Sequence, residues 1–145
     1  MAVASASEKL TTELAITHYD FDPDSGDATD VGWVDMRDYD KIVVSFFRTI
    51  GTGALTTFTI LANSSSTGAS TDVEIKSHAL GSQPDAVGDY VFLECTAKEL
   101  AAAGTDLRYV SANIDFVTST DEGVVTYVRG GSRWVRDSQS SDTVA

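Results

Sequence analysis

This sequence predicts an all-β fold: an antiparallel sandwich or jelly roll of about eight strands, with one short helix and extended termini. Apolar and polar residues alternate over short runs, and turn-forming residues separate those runs at short spacing. No strand-helix-strand alternation and no internal repeat interrupts the pattern. A chain of 145 residues, 42% of them hydrophobic, suits a single core. Residues 1–11, small and polar, read as an N-terminal arm, 12–131 as the sandwich and 132–145 as a tail.

From Thr12, T-E-L-A-I-T-H-Y sets Leu14, Ile16 and His18 against Ala15, Thr17 and Tyr19, a first strand with one face better buried than the other. Pro23, Gly26 and a run of aspartates make D-F-D-P-D-S-G-D-A-T-D a loop. Trp33 and Val34 begin a short strand, and Asp35 to Asp40 read as a polar turn. In Lys41 to Thr49, Ile42, Val44 and Phe46 point one way while Val43 and Phe47 point the other. Both faces are apolar, so this is a central strand, covered by the other sheet on one side and by a loop or a partner on the other. Ile50-Gly51-Thr52-Gly53 tolerates positive φ and A-L-T-T-F-T-I-L-A resumes the extended pattern, which predicts a hairpin.

Asn63 to Thr71 is a loop by composition, and Asp72 to Ser77 a half-exposed strand suited to an edge guarded by charge. Leu80 to Gly88 is a connection. In Tyr90 to Cys95 the residues Val91, Leu93 and Cys95 suit the core, leaving Tyr90 and Phe92 outside as a contact surface. Thr96 with Glu99 three residues on forms a capping box, and L-A-A-A-G closes a helix of one or two turns at Gly104. From Leu107 to Thr118, Val110, Ala112, Ile114 and Phe116 face one side. Thr118 to Gly123 turns, and V-V-T-Y-V-R is the last strand, stopped by Gly130-Gly131.

Charge excludes some partners. Ten Lys and Arg against 22 Asp and Glu give a net charge of -12, opposite to the basic footprint that nucleic acid or an anionic membrane requires. Residues 1–40 hold ten acids and two bases, so the acidity is mostly N-terminal and suits a partner with basic patches. Cys95 is the only cysteine, which rules out an internal disulfide and reads as a buried thiol. Neither a signal peptide nor an apolar run of about 18 residues occurs, so the expectation is a soluble protein made in the cytoplasm.

Few residues invite chemistry. A hydrolytic base would have to be His18 or His78, and neither accompanies a nucleophile motif such as G-x-S-x-G. Asp20, Asp22, Asp24 and Asp27 are a calcium candidate, but an EF-hand counted from Asp20 would need glycine and glutamate where Ser25 and Val31 stand. G-T-G at 51–53 lacks the P-loop lysine, and no cofactor is expected. Trp33 and Trp134 offer aromatic platforms of the kind a carbohydrate-binding module uses, or ordinary packing. Arg129, Arg133 and Arg136 bracket Trp134, the composition of an interface anchor or of a terminal segment packed on its own domain.

The W-V-D-M-R-D-Y-D-K-I-V-V strand entry, the G-T-G-A-L-T-T-F-T-I-L-A-N-S stretch, the S-S-S-T-G-A-S-T loop and the ending T-Y-V-R-G-G-S-R-W together resemble small β-sandwich structural proteins of tailed bacteriophages. In size and character they are most similar to capsid decoration, or cement, proteins. The resemblance implies a non-enzymatic virion protein on the outer capsid surface. It would associate with copies of itself, as a trimer, and with the major capsid protein through extended termini. A tail or fibre component, a carbohydrate-binding module and a hydrolase are the alternatives.

Overall fold

Val110, Ala112, Ile114 and Phe116 alternate along one strand and are all buried, so they define the floor on which a second sheet must sit. That second layer is supplied by Ile42, Val44 and Phe46, each fully buried. The structure, a computed structural model, describes residues 14–23, 31–78, 84–118 and 120–132. The elements are β1 (Ala15–Phe21), β2 (Val34–Asp35), β3 (Tyr39–Ile50), β4 (Leu55–Asn63), β5 (Val73–Ser77), β6 (Tyr90–Thr96), α1 (Ala97–Ala103), β7 (Tyr109–Phe116) and β8 (Glu122–Ser132). They form a sandwich of two four-stranded antiparallel sheets, ordered β1-β8-β3-β6 and β2-β7-β4-β5. The expected arm, residues 1–11, lies outside the described residues.

One expectation is overturned. β3 and β4 do not form a hairpin: they belong to different sheets, and Gly51 to Ala54 carry the chain across the end of the sandwich. Arg48 explains why. It continues the inward series of Ile42, Val44 and Phe46, and it is completely buried. Its Nη2 donates to the Gly53 carbonyl, its Nη1 lies 3.4 Å from Asp121 Oδ1, and its guanidinium sits 4.5 Å from the centre of the Phe116 ring. Asp121, also fully buried, accepts from Gly53 N–H at 3.1 Å and from the Thr118 hydroxyl. The crossing segment therefore wraps a sealed ion pair. A Cβ on Gly51 would fall 1.8 Å from Asp121 Oδ1, and one on Gly53 2.2 Å from Thr118 Oγ1, so both glycines answer to close approach.

Smaller shifts lie at strand ends. β1 runs on to Phe21, Tyr39 is buried as the first residue of β3, and β8 begins at Glu122 and continues through Gly130-Gly131 to Ser132. In β1 the better-buried face holds Ala15, Tyr19 and Phe21, while Ile16 points outward. Phe21 meets Phe46 edge-on at 5.7 Å, and Phe46 meets Phe116 at 5.4 Å, which ties the two sheets together at that end.

Polar groups also cross the core. The Tyr127 hydroxyl on β8 accepts from Ala112 N–H on β7 at 3.0 Å and donates to the Val31 carbonyl. Arg129, further along β8, donates to the Asp35 carbonyl of β2 at 2.8 Å. On one side of the sandwich α1 bridges the two sheets. Thr96 and Glu99 form the expected capping box, with Leu100 buried beneath. Lys76 of β5 reaches the Glu94 carbonyl of β6 at 2.7 Å and Glu99 at 2.9 Å, a contact that also lowers the Glu99 pKa.

Candidate docking surface

The register of the first sheet arranges its outward residues in rows. Ile16 lies opposite Val128, which lies opposite Val43 and then Glu94. The next row runs from His18 through Thr126 and Ser45 to Phe92, and the third from Asp20 through Val124 and Phe47 to Tyr90. Nothing among the described residues covers this face. Tyr90 is 65% exposed, Phe92 51%, Phe47 47% and Ile16 44%. Tyr90 and Phe92 thus stand where the sequence placed them. The outer side of β3, expected to be covered by a loop or a partner, has Val43 half-buried and Phe47 open.

The apolar surface continues onto the end of the sandwich where β3 crosses to β4. Ile50 follows Phe47 there, and Val87 lies in the turn leading to Tyr90. That turn is tied to β3 by Arg48 N–H donating to the Asp89 carbonyl and Gly88 N–H to the Arg48 carbonyl, each at 2.9 Å. Val117, 67% exposed, is bonded to the crossing segment through Ala54. Asp20, Asp85, Asp89 and Glu122 surround these groups, and the only described Lys or Arg at this end is the buried Arg48. The backbone N–H groups of Asp85 and Ala86 donate to Asp89 Oδ2 at 3.3 and 3.0 Å and hold that carboxylate in place. This end is apolar and anionic together.

No family model, curated protein or solved structure matches this chain.

The remaining candidates are placed as follows. Arg129 is engaged within the fold: besides the Asp35 carbonyl, it meets Thr17 Oγ1 at 3.4 Å and stacks 5.0 Å from the Tyr39 ring centre. Arg133, Trp134 and Arg136 lie outside the described residues, as do Asp24 and Asp27 of the calcium candidate. Asp20 and Asp22 are described, and no group of three metal-binding side chains occurs among the described residues. His18 Nδ1 is 2.9 Å from Thr126 Oγ1 on the outer face. His78 packs beside Phe58 in a recess of about 230 Å3 with Glu74 and Ser77, whose hydroxyl donates to Glu74 at 2.6 Å.

Trp33 is half-buried with its indole against Gly68. Burial pushes the Cys95 thiol up to about 11, the opposite of an activated nucleophile. A groove of about 750 Å3 beside α1 is floored by Met36, Leu100 and Leu107, with Arg37 and Arg108 at its rim. Arg108 makes a two-pronged contact with Asp35, and that hydrogen bonding lowers the Asp35 pKa.

Sequence reasoning missed Ile16, Ile50, Val87 and Val117 as surface groups. For Val87 no periodic signal exists, because it lies in a connection; Val117 continues the outward parity of the expected Leu107–Thr118 strand, which ends at Phe116. Ile50 falls in the segment that the sequence pattern reads as a hairpin turn.

Proposed function

We propose that this chain is a non-enzymatic structural protein that binds a protein assembly through the outer face of its first sheet. In its narrowest form it is a capsid decoration protein of a tailed bacteriophage, seated on the outer shell against the major capsid protein. The observation that carries the reading is the open apolar face of Ile16, Phe47, Tyr90 and Phe92 on three strands of a rigid sheet. Large apolar side chains grouped on one face mark contact sites, and aromatic groups supply most of the energy of such contacts. The phage assignment rests on the sequence resemblance.

Binding only the assembled lattice would stabilise it by mass action. Particles assembled without the chain should lose heat or low-salt stability and regain it when the purified protein is added back. Phe92→Ala should weaken cosedimentation with such particles by about tenfold. Unchanged particle stability together with no cosedimentation refutes the reading.

A further inference from the structure

We infer that the apolar, acidic end of the sandwich receives the R-W-V-R segment, residues 133–136, of a second copy of this chain, making a head-to-tail contact. The inference deepens the proposed function by dividing its surface: this end serves self-association, and the sheet face centred on Phe92 serves the assembly.

Charge comes first. The exposed Phe47, Val87 and Tyr90 lie among Asp20, Asp85, Asp89 and Glu122, with no exposed cation among the described residues at that end. Two such ends brought face to face would set carboxylate against carboxylate, so a symmetric pairing of this surface is disfavoured. Its complement is an aromatic group flanked by cations. The chain itself carries one, Arg133-Trp134-Val135-Arg136. Arg and Trp are the residue types that anchor interfaces, and Arg pairs with carboxylates.

Reach then decides which copy supplies it. β8 starts at Glu122 in the acidic end and finishes at Ser132, paired with Tyr39, at the opposite end. Its 11 residues separate those ends by roughly 33 Å at about 3.3 Å per residue. Trp134 is two residues past Ser132, and two residues span at most roughly 7 Å. It cannot return to the acidic end of its own molecule. A neighbour's acidic end is within reach, and a contact between unlike surfaces of identical chains closes into a ring or runs on as a filament.

The test mixes two defective chains. The full chain should sediment as an oligomer at tens of micromolar in low salt, weakening about tenfold between 50 and 500 mM salt. A chain ending at Ser132, and a full-length chain with Val87→Ser and Tyr90→Ser, should each be monomeric and retain the parent's circular dichroism. Mixed, they should form a one-to-one dimer, because the second keeps an intact tail and the first an intact acidic end. A monomeric parent, an oligomer that survives truncation, or failure of the folded pair to combine overturns the inference. The particle-binding effect of Phe92→Ala is read separately, so either proposal can fail while the other stands.

Discussion

Removing the carboxylate of Asp121 should unfold this protein more effectively than any surface change. Arg48 and Asp121 are both completely buried, with Nη1 and Oδ1 3.4 Å apart. At that separation, unit charges attract by about 5 kcal/mol at an effective dielectric of about 20, and desolvation of both groups offsets much of it. The loss on breaking the pair is larger than its net worth, because Asp121→Ala strands a guanidinium that already lacks hydrogen-bond partners at Nε and Nη1. It also strips acceptors from Gly53 N–H and the Thr118 hydroxyl. The expected cost is about 3–5 kcal/mol, a midpoint lower by roughly 10–15 °C. Asp121→Asn keeps an acceptor and should cost about 2–3 kcal/mol. Combining Asp121→Asn with Arg48→Met should recover most of the loss, since no unpaired charge remains. Urea titrations of the parent, both single variants and the double variant measure the coupling. Additive effects, or an Asp121→Ala cost under about 1 kcal/mol, would refute the view that this pair is sealed.

Three further outcomes are expected. Cys95, with its thiol at about 11, should not react with a thiol reagent at pH 8 in the folded protein and should react once per chain in denaturant; rapid native labelling would contradict its burial. Asp35 has a lowered pKa, so its pairing with Arg108 stabilises the fold above the unfolded carboxylate value near 3.9 and is lost as pH falls through the lower folded value. Arg108→Ala should therefore lower the melting temperature slightly at pH 7, since the pair is partly exposed, and leave it unchanged near pH 2, as followed by thermal melts across that range. Phe46→Ala should cost about 3–5 kcal/mol whereas Phe92→Ala should change stability by under about 0.5, so equal effects would place Phe92 in the core.

Much of the sandwich was legible because period-two patterning reports burial directly. Val110, Ala112, Ile114 and Phe116 lie where alternation put them, and Thr96 and Glu99 close the capping box that their spacing announced. The step from β3 to β4 was not legible. A short glycine-containing segment serves equally to turn a strand back beside its neighbour or to cross to the facing sheet, and only distant residues choose between them. The chooser is Asp121, some seventy positions away, through its contact with Gly53 and Arg48. One local sign existed: Arg48 continues the inward parity of β3, where an arginine requires a buried partner. Tyr90 and Phe92 were legible as a surface because their strand alternates. Ile50, Val87 and Val117 join them only through backbone bonds between segments far apart in sequence.

The polar contacts that cross the core have a mechanical consequence. Facing layers of Val, Ile and Phe present similar textures along their length, so dispersion forces alone resist sliding of one sheet over the other only weakly. Arg48 with Gly53 lies at one end of the sandwich, Tyr127 with Val31 and Ala112 midway, and Arg129 with Asp35 at the far end. Each is directional and each would be broken by a displacement of one residue. A chain with a single cysteine thus fixes the shear between its two layers with three dowels, and the spacing between its acidic end and the exit of β8 becomes a constant of the molecule.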